Sequence, residues 1–220
     1  SRWMMPRAWA SDSAAHTRTR ANYTGGEHRR EKDLEQAHIV LGFRGVSRSD
    51  PGYHAAQVLA TLLGGGMSSR LFQEIREKRG LVYAIYSFLH AFSDDGQFAI
   101  YAGTGAVDLP KLVPVLCDQI RAVTQNVTGD ELSRAKSQLR ASLLMGRESM
   151  MQRADQQARH LISFGAPLDM AKQIAKIESV DAAAVCAVAQ QIFSGTPTLA
   201  ALGPLKALEP WDTLRERLAA

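Results

Sequence analysis

Apolar positions along this chain follow two rhythms. Between residues 37 and 103 they fall in short runs broken by glycine and acidic turn signals, and from residue 109 onward they recur every third or fourth position. Ala37 to Phe43 (AHIVLGF) is a short apolar run followed by loop residues, which predicts a buried strand. Asp50 and Pro51 predict a helix start, with Asp50 as N-cap and Pro51 at the first helical position. Tyr53, Val58, Leu59, Leu62 and Leu63 form its apolar stripe, and Gly64-Gly65-Gly66 ends it. A charged helix then runs from about Ser69 to Arg79, with Leu71, Phe72 and Ile75 inward, an i,i+4 pair of Glu74 and Lys78, and Gly80 as its stop. Leu81 to Leu89 (LVYAIYSFL) is apolar on both alternating faces, which predicts a central strand covered on two sides. Asp94-Asp95-Gly96 is a hairpin signal, and Gln97 to Gly103 returns as the adjacent antiparallel strand.

The second half reads as helices. Leu109 to Gln125 is amphipathic through Leu112, Val113, Leu116, Ile120 and Val123. Thr128-Gly-Asp-Glu131 is a capping box. It opens a helix that, unbroken to Ser163, would be roughly 50 Å long, with Gly146 as a bend. Its expected inner positions include Leu132, Ala135, Leu139, Leu143, Met150, Ala158 and Leu161. Two shorter helices are expected at Leu168–Ile177 and Asp181–Phe193, a last strand at Thr198–Leu202, and a tail helix over 210–218. Residues 1–35 are polar, with Gly25-Gly26 as a turn and 17–24 (TRTRANYT) as a weakly alternating edge strand. Hairpin strands with helices gathered on one face give an α+β class.

Composition adds little to this picture. The 220 residues are 45% hydrophobic and 22% charged, which is ordinary for a globular protein. No apolar run approaches the roughly 20 residues of a membrane span. The opening SRWMMPRAWASDS has no apolar core and is no signal peptide. The chain does not open on Met, so a processed chain or a piece of a longer one is expected. Net charge is +4, with a basic cluster at Arg18, Arg20, Arg29, Arg30 and Lys32. Tyr23 is the one aromatic residue within that cluster, short of a row of stacking platforms, so a solvated face is favoured over nucleic-acid binding. Cys117 and Cys186 sit inside apolar helical patterns and read as small buried hydrophobes, with a single disulfide left open.

The glycine triplet is not a phosphate loop, because it follows a helix and lacks the Lys of G-x-x-x-x-G-K-[ST]. Neither H-E-x-x-H nor H-x-x-E-H is present; His28-Arg-Arg-Glu31-Lys32 comes nearest, with a cation where a second His would ligate. The six histidines show no paired spacing on a helix. One pair remains. If helix and strand fold back at Gly80, Arg76 and Tyr83 both lie within roughly 10 Å of that turn. A guanidinium and a phenol there suit a carbonyl or a developing oxyanion. The competing reading is a surface Arg and a buried strand Tyr.

GGGMSSRLFQEIREKRGLVYAIYSF and FSDDGQFAIYAGT closely resemble the second half of pitrilysin-type (insulinase, M16) zinc metallopeptidases, most of all their mitochondrial-processing-peptidase-like bacterial branch. ELSRAKSQLRASLLMGRES and ADQQARHLISFG fit the same family, so the resemblance spans about residues 35–195. It implies two related α+β domains closing as a clamshell around an extended peptide. The first carries H-x-x-E-H and a downstream Glu; the second lacks them and supplies substrate contacts. It further implies that Arg76 and Tyr83, which match a family pair in identity and spacing, reach toward the zinc site as catalytic support.

The resemblance implies that residues 1–220 form one such second domain, with an antiparallel sheet of about five to six strands, helices on one face, an irregular 1–16 and a helical 205–220 tail. Gly64, Gly65, Gly66, Ser68 and Ser69 are candidate substrate-binding residues. No metal ligand is assigned to this chain; zinc is expected in a catalytic N-terminal domain or subunit, which is its expected partner. The isolated chain is then expected to bind no catalytic zinc and to cleave nothing. Its exposed inner face leads to an expectation of self-association. The alternative is a non-catalytic structural or assembly subunit on the same fold. The bacterial cytoplasm is the expected compartment, with the periplasm second.

Overall fold

The computed structural model describes residue 19 and residues 21–219. Among these residues five strands form one sheet: β1 (Gly26–Glu31), β2 (Ala37–Arg44), β3 (Ala84–Ala91), β4 (Gly96–Thr104) and β5 (Thr198–Gly203). Their spatial order is β1-β5-β2-β4-β3. Every neighbouring pair is antiparallel except β1 with β5, so the α+β class holds with a mostly antiparallel, mixed sheet. Ile39, Leu41 and Phe43 of β2 lie opposite Ala102, Ile100 and Phe98 of β4 on the inner face. All six are buried, and Phe193 meets both Phe43 and Phe98 edge-on with ring centroids 4.9 and 5.4 Å apart.

Among the described residues seven α-helices accompany the sheet, besides the π-helical stretch Phe72–Glu77: α1 (Tyr53–Gly64), α2 (Leu109–Gln125), α3 (Gly129–Met145), α4 (Met150–Phe164), α5 (Met170–Glu178), α6 (Ala182–Phe193) and α7 (Trp211–Ala219). The capping box forms: Thr128 Oγ1 accepts from Glu131 N–H, and Glu131 Oε2 accepts from Thr128 N–H at 3.1 Å. The bend at Gly146 is a full break, because α3 stops at Met145 and α4 restarts behind its own cap, Ser149. Both cysteines are free, Cys117 buried in α2. Among the described residues no helix is long and apolar enough to cross a membrane.

Several expectations are corrected. Helix α1 starts at Tyr53, after Pro51, because the Asp50 carboxylate accepts the Gly52 N–H at 2.7 Å and closes a turn instead of capping the helix. The first strand is Gly26–Glu31; the described part of 17–24 is not a strand, and the irregular 1–16 lies outside the described residues. A polar strand forms there because β1 needs only its ladder to β5 and solvent on its free edge. Gly25, at φ +69°, makes the entry; a Cβ there would lie 2.7 Å from Thr196 Cγ2. Strand β3 is an edge strand, not a central one. Its two-sided apolar pattern has separate causes: Leu81 and Val82 plug the core from the preceding loop, while Tyr86 stacks outward on Tyr101 at 4.9 Å. Met150, Ala158 and Leu161, expected inside, are exposed.

Candidate functional site

The site is built where the chain reverses at Gly80. Helical residues 70–77 include a π-helical stretch, Phe72–Glu77, with Lys78 N–H donating to Gln73 O at 3.0 Å. A π-turn inserts one residue and re-aims the side chains around it. Gly80 lies in the left-handed region at φ +63°, which ends the helix without a Cβ penalty. The reversal is pinned by Gly80 N–H to Arg76 O and Leu81 N–H to Ile75 O, each 3.0 Å. Leu71 and Ile75 anchor the helix in the core.

Arg76 therefore stands in the last helical turn and Tyr83 just before β3. Both face solvent; Tyr83 is 60% exposed. Among the described residues neither side chain has a hydrogen-bond or ion-pair partner. Each is held from beneath. The Arg76 guanidinium carbon lies 4.9 Å from the Phe72 ring centroid, a cation–π geometry. The Tyr83 N–H donates to Gly103 O at 2.8 Å, and its hydroxyl lies over Gly105, 3.8 Å from where a Cβ would stand. The buried Thr104 hydroxyl ties the same corner by donating to Leu81 O at 2.6 Å.

The acids nearby in sequence do not neutralise Arg76. Glu74 is taken by Lys78 and by Arg79, whose Nη1 donates to Oε2 at 2.8 Å. Hydrogen bonds from Lys78 and Arg79 hold the Glu74 carboxyl below its usual range. Behind the helix, Arg70 grips Glu131 at two points, and Arg70 Nη2 also donates to Asn126 O at 3.0 Å. Burial pushes the Glu131 carboxyl up, but the Arg70 and Thr128 hydrogen bonds and the Arg70 charge outweigh it and hold it at about 2.

The glycine triplet has another physical account. None of its members adopts a positive φ. Gly64 lies inside α1, pressed on β3: a Cβ would sit 2.7 Å from Ser87 Oγ, whose hydroxyl donates to Ala60 O at 2.8 Å. Ser69 is buried and its hydroxyl donates to Gly66 O, while Gln138 Nε2 reaches Gly65 O at 2.6 Å. Of the five candidates, Gly65 and Ser68 are the exposed ones.

The described residues do not fit a zinc ion. Nowhere among them do three or more His, Cys, Asp or Glu side chains gather as a metal site would require. The stretch nearest to an inverted motif is strand β1, where Glu31 Oε2 accepts from Leu205 N–H at 3.0 Å. His54 is hydrogen-bonded to Gln173 at 2.9 Å.

A family model described as the peptidase M16 inactive domain matches residues 5–139. The chain belongs to the peptidase M16 inactive-domain family. This inactive domain is 39% identical over 176 residues to an uncharacterized zinc protease of Streptomyces coelicolor, covering 80% of the chain and 38% of the relative. It is 39% identical over 185 residues to an uncharacterized zinc protease of Rickettsia felis, covering 84% and 45%. It thus spans less than half the length of the curated relatives it matches. A crystal structure of a peptidase M16 inactive domain from Pseudomonas fluorescens superposes with TM-score 0.74 at 25% identity, covering 86% of this chain and 46% of that one. A chain of complex III2 from Candida albicans shares the fold, with TM-score 0.81 at 18% identity over 89% of this chain and 49% of that one.

Gly80, between Arg76 and Tyr83, marked the reversal in the sequence. It did not reveal Phe72 beneath Arg76 or the capture of Glu74. The Glu74-Lys78 spacing was the one available signal for that capture.

Proposed function

We infer that this chain is the substrate-clamping, non-zinc-binding half of an M16-type zinc endopeptidase. In this reading it supports peptide-bond hydrolysis at zinc ligands carried by a separate N-terminal domain or partner subunit. The observation that carries it is the presentation of Arg76 and Tyr83: both exposed, both without a polar partner among the described residues, both backed by fixed structure. A guanidinium and a phenol held in this way have donors free for an extended peptide's carbonyl, or for the oxyanion that forms when it is attacked. Gly65 and Ser68 are the candidate substrate contacts that face solvent, with Gly64 and Ser69 as supports. The names of the relatives support a zinc peptidase as the setting.

The test combines this chain with the H-x-x-E-H-bearing half and follows cleavage of an unstructured peptide. The mixture should cleave well above the zinc half alone, and this chain alone should contain no stoichiometric zinc and cleave nothing. Stoichiometric zinc with activity in this chain alone would overturn the reading. A mixture no faster than the zinc half would remove the clamping role and favour a structural or assembly subunit.

A further inference from the structure

Helix α4 sits on its own domain without burying a single residue. Gln156, Gln157 and His160 on its inner side are only half-buried, because a cleft of about 880 Å³ lies between it and helices α1, α3 and α5. Clefts of this size are those that hold small molecules. Polar contacts hold the helix over the cleft. Gln157 engages both main-chain groups of Leu168, accepting from its N–H at 2.9 Å and donating to its carbonyl at 3.3 Å. Arg48 Nη1 donates to Ser163 Oγ at 2.9 Å. The wall itself is apolar where Leu89 of β3, Leu139 and Leu143 of α3 and Ile177 of α5 line it. Phe92 and Phe164 carry that surface out to solvent, 56% and 49% exposed.

The charge around this wall is one-sided. Among the described residues, Arg48, Arg159, Lys172 and Lys176 line it against a single carboxylate, Asp169. Asp169 caps α5, its Oδ1 accepting from Lys172 N–H at 3.1 Å, and Arg159 is paired with Asp155 at 2.7 Å. With both carboxylates counted, the cleft keeps an excess of positive charge. Lys172 and Lys176 stand one turn apart on α5, and neither ammonium has a hydrogen-bond or ion-pair partner among the described residues. An apolar wall beside unengaged cations suits a guest with an acidic head and an apolar tail. An extended peptide would seek free main-chain groups instead. Those along the cleft are already taken: Arg48 Nε donates to Ala91 O, Phe92 N–H donates to Asp95 O and Phe92 O accepts from Arg48 N–H, all at 2.8 Å. Ala166 O lies 2.8 Å from His160 Nδ1.

We propose that the cleft under α4 binds a single-chain amphiphilic carboxylate, its head at Lys172 and Lys176 and its tail along Leu139, Leu143 and Ile177. The site does not rest on the peptidase reading, because it lies at the Ala91–Phe92 end of β3, away from Tyr83 before its start. Isothermal titration of the full chain with laurate, kept below its micelle concentration, tests it. The expected result is saturable one-to-one binding. Decanoate, two methylenes shorter, should bind roughly tenfold more weakly. The double variant Lys172→Glu, Lys176→Glu should lose about tenfold or more in laurate affinity and gain affinity for dodecyltrimethylammonium. Its circular dichroism and melting should match the parent, because both side chains are exposed and unpartnered within the described chain. Leu143→Trp, which fills the cleft, should block laurate. Hydrogen exchange of α4 should slow when laurate is bound to the parent chain. Absence of saturable laurate binding, laurate binding indifferent to the two glutamates, or parental binding of dodecyltrimethylammonium as tight as that of laurate would each overturn the proposal. So would capture of an acidic peptide by a chain that ignores laurate.

Discussion

Arg70 and Glu131 meet in a two-point pair, Nε to Oε1 and Nη2 to Oε2, both at 2.8 Å. The pair joins the helix that carries Arg76 to the first turn of α3, and both side chains are mostly buried. The Glu131 carboxyl is held at about 2 in the folded chain, against 4.5 for a free side chain. A depressed folded value means that the pair stabilises the fold fully above the free value and loses that stability as pH falls from about 4.5 toward 2. The full contribution is on the order of 2–3 kcal/mol. Glu131→Gln should therefore lower stability near neutral pH by about 1–3 kcal/mol and flatten the acid limb of the stability–pH curve. Urea melts of both proteins from pH 7 to 3 measure this. Parallel curves would show that the pair carries no such linkage.

Gly64 makes a second prediction, on the packing of α1 against β3. A methyl group there would press on the Ser87 backbone and hydroxyl, and the strand cannot yield without losing its ladder to β4. Gly64→Ala should cost about 1–3 kcal/mol or more, as overpacking does. Gly129→Ala is the control: nothing lies within 4 Å of a Cβ there. It should be neutral or stabilise by about 0.4–1 kcal/mol. Equal melting temperatures for the two variants would contradict the close approach.

The two thiols should differ in reactivity. Burial, and secondarily the nearby Glu209 charge, push the Cys117 thiol up to about 12. At pH 8 it is protonated and shielded, so alkylation in the native chain should label Cys186 first. Mass spectrometry of the labelled peptides, before and after unfolding in guanidinium, reads the order directly. Rapid native labelling of Cys117 would mean that α2 opens locally.

Much of this fold was legible for local reasons. Leu109–Gln125 and the capping box at Thr128 are decided within one turn of helix, and the structure reproduces both. The hairpin of β3 and β4 follows from its turn signal in the same way. What depends on distant partners was not legible. Strand β1 (GEHRRE) has no apolar face because its pairing with β5 is supplied from 172 residues later, Gly26 opposite Thr198. The edge position of β3 was hidden by Tyr86 and Phe88, which find aromatic neighbours on the outer face instead of a second layer. At the site, the reversal at Gly80 was readable from a single glycine. The π-turn that carries Arg76 has no residue signature, since it reflects how Leu71 and Ile75 seat in the core.

Arg76 and Tyr83 give the prediction closest to function. Neither side chain has a polar partner among the described residues, so Arg76→Ala and Tyr83→Phe should leave folding within about 0.5 kcal/mol of the parent. In the reassembled two-half enzyme each should lower kcat by about tens- to hundreds-fold, as loss of an oxyanion donor does. KM should move less, because the donors matter most once the carbonyl becomes an oxyanion. Phe72→Leu separates positioning from contact: it removes the ring beneath Arg76 but keeps an apolar side chain, so it should slow turnover by less than Arg76→Ala and leave the melting temperature close to the parent. Steady-state kinetics on one peptide across the four proteins settles the ranking. Parental turnover in both Arg76→Ala and Tyr83→Phe would leave the corner at Gly80 as a structural reversal with no part in catalysis.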